Sequence, residues 1–508
     1  MKKKLLTIIM GVAVTLNYSC RKNLLTPVNQ TQVADQNGQP FSTAARIQSQ
    51  VLALYANARN GQYLGGRFQV YNDVKADNYI NTSGNQITAS NTWAANVNTT
   101  STEVQNLWAQ AYFDINLCNV FIDGMATYNG ATTVGAATAA NYIAEAKFLR
   151  AVAYYSLLQL YARPYVDGNG SKPGVPLRLK GLTTYSDQSL AKSTVAEVYA
   201  QILKDLNEAE AGLPLNYSSV ATTNVVNNVI RAHRNTAIAY KTRVYLTMGQ
   251  YANVITEANK IVGATNFSAA GGSLAASGSA GVNFALQPSV LSVFRTPYLT
   301  FESVFSVPFV VSTEQPGTQT ALASFWYASA STPGNADFYL NPNGVLADAN
   351  WKTTDDRRVN FVFTPTTGTF AGKPFLSKFN AVGTFLDYAP VMRYAEVLLN
   401  LAEARARLNG LDPQAIDLLN AIRQRSDKTT LFTAATLGSG ANLVSTILQE
   451  RNIEFLGEGL RNIDFMRTLG TIPGKQNIAA VPPSSPQYIW PISNDELLYN
   501  TLIGGSNN

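Results

Sequence analysis

The stretch ERNIEFLGEGLRNIDFMR, residues 450–467, carries seven charged side chains in eighteen positions, whereas the chain as a whole is 14% charged. Glu450, Glu454 and Glu458 recur every four residues, a spacing that puts three carboxylates on one face of a helix. Two chemistries use acids placed this way. Paired carboxylates hydrolyse glycosidic bonds when one is held protonated and the other ionised. Alternatively, cations from other segments neutralise the acids, and the cluster braces the fold. Ile453, Phe455, Leu456, Ile463 and Phe465 interleave with the charges, so the segment is half-buried. Arg461 and Arg467, with Arg393, Glu396 and Glu403 from an upstream helical block, offer a matching mixture of signs. The brace is the preferred reading and the acid pair its alternative.

Little else in the chain has the residue types for catalysis. The single histidine, His233, excludes HExxH and multi-histidine zinc sites. It lies between Arg231 and Arg234 at a predicted helix start and reads as a surface or N-cap residue. Cys20 and Cys118 form no CxxC pair, and Cys118 reads as a small apolar filler in a helix. No G-x-S-x-G occurs. GTFAGK (368–373) and GTIPGK (470–475) are each one residue short of a phosphate loop and lack the following Ser or Thr. No cofactor or metal is expected. Net charge is +6, half of it from Lys2, Lys3 and Lys4. With no long basic run, nucleic acid is not the expected partner.

The elements that must hold such a cluster are helical. After MKKK comes an apolar run, Leu5–Leu16, too short to span a bilayer, and then Ser19 and Cys20. The pattern resembles a lipoprotein signal: residues 1–19 are removable, Cys20 is the lipid attachment point, and residues 20–40 are a polar tether. Ordinary secretion with an incidental cysteine is the alternative. In STVAEVYAQILKDLNEAEAGLP, Thr194 and Glu197 form a capping box. Val195, Val198, Ile202, Leu206, Ala209 and Leu213 then make one apolar stripe, which Gly212 and Pro214 end. Further helical blocks cover 104–125, 144–162, 235–262, 391–426 and 443–459. Two of them break at Gly249 and Gly410 in a tetratricopeptide rhythm of helix, glycine turn, second helix. The expected fold is mainly α, an array of stacked, tetratricopeptide-like helix pairs with irregular decoration. It forms a single domain over 41–508, with a helical frame at 41–262 and 388–508. Residues 263–387 form an irregular insertion, holding a Gly/Ala/Ser run at 269–281 and short strands such as ESVFSVPFVV (302–311).

Several segments, in order, resemble the SusD/RagB family of Bacteroidetes outer-membrane lipoproteins. They are the Ser19-Cys20 junction; Trp108, Tyr112, Ile115 and Asn119; EAKFLRAVAYYSLLQLY; VYAQILKDLNEAEAGLP; MRYAEVLLNLAEA; residues 450–467; and YIWPISNDEL. The resemblance implies a tetratricopeptide-like α-superhelix of about four helix pairs and a non-catalytic nutrient-binding protein at the cell surface. It also implies a SusC-like TonB-dependent transporter as partner, with an oligosaccharide, or sometimes a peptide, as ligand. Sugar rings stack on aromatic faces while polar side chains bind the hydroxyls. Of the five tryptophans, Trp108 and Trp490 read as core. Trp93, in an Asn/Thr-rich loop, and Trp326 with Tyr327 are the preferred stacking rings. Trp351 is a lesser candidate, and Asp77, Asn78 and Asn81 are candidate hydroxyl partners. A surface glycosidase using paired acids and a purely structural module bound to the transporter are the competing readings.

Overall fold

A computed structural model describes residues 39–184, 188–217, 225–262, 281–282, 284–316, 319–327 and 336–508. Cys20, the leader, almost all of the tether and most of the Gly/Ala/Ser run lie outside them. The helices that matter below are α1 (Ala44–Ala58), α2 (Arg67–Val74), α3 (Thr102–Thr127), α4 (Ala136–Tyr161), α5 (Val195–Gly212), α6 (Arg234–Thr247) and α7 (Tyr251–Ala258). They continue with α8 (Leu322–Trp326), α9 (Tyr394–Asn409), α10 (Pro413–Ser426), α11 (Gly440–Glu454) and α12 (Asn494–Tyr499). From α3 to α7 each helix packs on the one before it; α9 then packs on α6 and α7, and α10 and α11 pack on α9. The helix pairs stack as the periodicity requires, in the tetratricopeptide-like superhelix that the resemblance implies.

Local chemistry explains the helix limits. The Thr194 hydroxyl accepts from the Glu197 N–H while the Glu197 carboxylate accepts from the Thr194 N–H, so the predicted capping box starts α5. Gly249 and Gly410 take φ of 72° and 69° between α6 and α7 and between α9 and α10, a region that a Cβ disfavours. α4 is apolar on nearly all sides from Ala144 onward and is correspondingly buried at the centre of the array.

The insertion is tied to the frame by short antiparallel ribbons. β1 (Tyr79–Asn81) pairs with β3 (Phe338–Leu340), β2 (Ser303–Val307) with β6 (Ala389–Arg393), and β4 (Val362–Phe363) with β5 (Phe375–Leu376). Two boundaries differ from the sequence reading. The block beginning at Val391 starts as strand β6 because β2 supplies its hydrogen-bonding partner, and the helix begins at Tyr394. The block ending at 459 stops at Glu454, because Gly457 and Gly459 turn the chain with φ of 84° and 80°. A Cβ on Gly459 would sit 2.5 Å from Cα of Gln69. Glu458 is therefore not on the helix that carries Glu450 and Glu454.

Candidate functional site

The acid trio is buried and paired. Glu450 and Glu454 have fully buried side chains, and that of Glu458 is 5% exposed. Arg357 bridges Glu450 at 2.6 Å and Glu454 at 3.0 Å, and it grips Asp355 through two hydrogen bonds. Arg393 makes paired bonds to Glu458 at 2.7 and 2.8 Å and reaches Glu302 at 2.6 Å and Glu454 at 3.1 Å. Arg425 links Glu302 to Glu454, Arg423 lies against Glu450, and Lys378 bonds to Glu458 at 2.9 Å. The acids are Glu302, Asp355, Glu450, Glu454 and Glu458; the bases are Arg357, Lys378, Arg393, Arg423 and Arg425. The signs balance, as a lattice sealed from water requires. Burial alone would raise the Glu454 carboxyl, but Arg425, Arg393 and Arg357 hold it well below the ordinary range. A general acid needs the opposite shift. The other expected contributors divide differently. Arg467 pairs with Glu403 and Asp464, Glu396 pairs with Arg243, and Arg461 pairs with Asp77.

Most of the side chains chosen for glycan contact are structural. Trp326 is fully buried, its ring stacked on Tyr79 at 4.3 Å between centroids; it presents no face to solvent. Trp351 is 2% exposed and lies beneath Arg358. Asp77 is occupied by a two-bond pair with Arg461 at 2.8 and 2.9 Å. Asn78 is buried, donating to Asn452 and accepting from the Val345 N–H. Asn81 accepts from the Gly84 N–H, and its amide nitrogen is enclosed. The Asn-rich composition suggested open loops, but here the amides satisfy backbone groups that β1 and its flanks leave over. Trp108 and Trp490 are core, as expected. His233 is buried against Phe284 rather than at the surface, and burial pushes its imidazole down to about 3. Cys118 is a buried filler whose thiol is pushed up by desolvation.

Trp93 is half-buried; its indole N–H donates to the Tyr79 carbonyl at 2.7 Å, and the Lys475 ammonium lies 5.8 Å from the ring. Trp93 and Trp326 thus both meet at Tyr79, but as supports of β1. Lys475 itself donates to the Val74 and Ala76 carbonyls at the C-terminal end of α2, where the helix dipole favours a cation. Lys75 is buried nearby, bonded to Asn462 and the Tyr488 carbonyl. Burial lowers both ammonium groups to about 7; Asp77 raises Lys475 in part, and Lys75 lowers it further. The fold therefore binds fewer protons than the unfolded chain between pH 7 and 10.5, and stability rises with pH across that window. We expect the thermal midpoint to climb from pH 6.5 to pH 9, as read by circular dichroism. The climb should be smaller in Lys475→Met.

The ring-bearing face that remains open lies on the insertion. Tyr298 and Tyr388 stack at 4.7 Å with an interplanar angle of 15°, both half-buried. The Tyr298 hydroxyl donates to Asp387 at 3.3 Å. Arg295 lies near Asp387, Tyr298 and Tyr327, and its guanidinium donates to the Phe294, Ser377 and Lys378 carbonyls. Among the described residues no carboxylate forms an ion pair with it. Tyr327 follows the buried Trp326 directly, is half-buried and packs on Phe363. Tyr298 holds φ of 62°, a costly conformation for a bulky side chain and one that clusters at binding sites. Sequence reasoning found Tyr327 and missed Arg295, Tyr298, Asp387 and Tyr388. The one usable signal was their position just ahead of the two paired strands, β2 and β6, that dock the insertion.

Two family models match the chain: the SusD family over residues 362–503, and a family described as starch-binding and associating with the outer membrane over residues 29–246. A crystal structure of a SusD superfamily protein from Bacteroides fragilis is 31% identical, covering 91% of this chain and 99% of that one with a TM-score of 0.76. SusD-like protein P38 of Formosa agariphila is 24% identical over 89% of both chains. A protein described as a laminarin-binding SusD-like protein shares the fold at 20% identity and a TM-score of 0.69, with 91% and 99% coverage. With ordered matches at both ends of the chain and near-complete overlap with a relative of this identity, the chain belongs to the SusD family.

Proposed function

We propose that the chain is a lipid-anchored nutrient-binding protein of the outer-membrane surface. It captures an oligosaccharide on the tyrosine face of the insertion and delivers it to a SusC-like TonB-dependent transporter. As a SusD family member it is a binding protein, not an enzyme. The observation that carries the reading is the Tyr298–Tyr388 stack with Asp387 and Arg295 at its edge. Flat rings meet the C–H faces of a sugar and the half-buried Arg295 guanidinium takes hydroxyls, while the buried Asp387, held by the Ala381 N–H, fixes the Tyr298 ring. Tyr327 extends the same face, and Trp93 keeps part of its ring open as a further contact. The starch-binding description of the N-terminal family model and the laminarin-binding relative support a glucan as first ligand to try. The lipid on Cys20 and the transporter follow from the signal pattern and the family resemblance.

Affinity electrophoresis in starch and in laminarin, followed by calorimetry with the oligosaccharide that retards the protein, tests the site. Tyr298→Ala and Tyr388→Ala are each expected to weaken binding about threefold to tenfold, the worth of one stacked ring. Retardation unchanged in both variants would move the site elsewhere. Steady release of reducing sugar by the purified protein, abolished in Glu454→Gln, would instead revive the glycosidase reading.

A further inference from the structure

A second cleft, of about 320 Å3, opens between α3 and the C-terminal α12. Its walls include Trp108 and Tyr112 from α3, Arg178 from the loop after α4, and Asp495, Glu496 and Tyr499 from α12. None of these residues belongs to the tyrosine face of the insertion or to the ion lattice. The back of the cleft is rigid. Trp108 is 4% exposed and held edge-on against Tyr161. The Glu496 carboxylate accepts from the Trp108 indole at 3.3 Å, from Arg178 at 2.9 Å and from Asn500 at 2.6 Å. Arg178 also covers the Tyr112 ring at 5.8 Å, and the Tyr112 hydroxyl donates to the Pro176 carbonyl.

The mouth is different. Tyr499 is 77% exposed, and no aromatic ring among the described residues packs on it. The Asp495 carboxylate is exposed beside it, with no ion pair among the described residues. A single exposed ring is ordinary on a protein surface, but this one borders a cleft whose lining is mostly apolar, which gives a partner somewhere to pack. The lining gives the chemistry of that partner. Rings offer stacking area, and Asp495 offers acceptors for hydroxyl donors. Two carboxylates against one guanidinium, itself already bonded to Glu496, disfavour phosphate and carboxylate groups. The volume is at the small end of the range of about 300–1,000 Å3 typical of ligand pockets.

We propose that this cleft is a second saccharide site, separate from the insertion, that takes one or two neutral sugar residues against Tyr499 with Asp495 binding their hydroxyls. A chain with two such sites would hold a long glycan at two points, or hold two chains at once.

Hydrogen-exchange mass spectrometry on the full folded protein tests this with glucose, maltose, cellobiose and laminaribiose as probes and adenosine as a stacking control. We expect saturable protection of residues 494–502 by at least one sugar. Tyr499→Ala should weaken it about threefold to tenfold, Asp495→Asn should weaken it in the same direction, and Tyr298→Ala should leave it unchanged. Both α12 side chains are exposed, so neither substitution opens the core. Protection absent with every sugar, protection undiminished in Tyr499→Ala, or stronger protection by adenosine than by any sugar would each overturn the proposal. Because Tyr298→Ala reports on the insertion face alone, failure of either site is read separately.

Discussion

Glu454→Ala is expected to destabilise the protein by about 3–5 kcal/mol, the usual effect of removing one partner from a buried ion pair. The substitution strips a carboxylate from Arg357, Arg393 and Arg425 at once, in surroundings where all four side chains are at most 2% exposed. Three guanidinium groups then share fewer acids in a site closed to bulk solvent. Denaturant titration followed by tryptophan fluorescence measures the loss, and a midpoint within error of wild type would refute the brace. A second arm follows from the acid side. The Glu454 carboxyl lies well below its ordinary range, and Asp464 is held down to about 2 by Arg451 and Arg467 against the effect of burial. Groups with depressed values stabilise the fold above their unfolded values, and that contribution is lost as pH falls through the folded ones. Stability should therefore decline steeply below about pH 4, and less steeply in Glu454→Ala, which has already lost its share.

Trp326→Ala should cost about 3–5 kcal/mol, as truncation of a buried aromatic does. The ring is enclosed by Tyr79, Phe325 and Phe338, and Gly457 lies against its indole edge. Its indole nitrogen has no hydrogen-bond partner among the described residues, so Trp326→Phe keeps most of the packing and should lose far less. The contrast separates support from contact. If Trp326→Phe folds like wild type and binds glycan like wild type, the ring is a pillar under β1; selective loss of binding in a fully folded Trp326→Phe would restore it as a ligand platform.

Much of the frame could be read from the chain because helices write their packing locally. The apolar stripe of α5, its capping box and the glycine breaks at 249 and 410 all lie within a few turns of the residues they organise. The brace was legible for a related reason: Glu450 and Glu454, one helical turn apart, demand compensation somewhere, although Glu458 joins the lattice from beyond the helix end. Which cations would supply it was not legible. Arg393 stood out within a conspicuous block whose far end also holds Arg423 and Arg425, but Arg357 and Lys378 come from two separate stretches of the insertion that no period connects to it. The site was harder still. Trp326, Asp77, Asn78 and Asn81 sit in polar, turn-rich sequence that reads as open, yet the β1–β3 ribbon encloses them. Tyr298 and Tyr388 are two of 25 tyrosines; what distinguishes them is their juxtaposition across the insertion, and for Tyr298 a backbone angle, neither of which a linear pattern records.

The pairing of β1 with β3 also fixes an order of events during synthesis. Tyr79 leaves the ribosome long before Leu340, the residue it faces, so the early strand must wait with bare edges while the helical array is made. The same delay holds for Glu302, whose Arg393 and Arg425 come later still. Local helices should therefore consolidate quickly, while closure of the insertion, with its distant contacts, sets the overall rate. Until that last step the nascent chain exposes sticky, half-neutralised surface that closure of the insertion then buries.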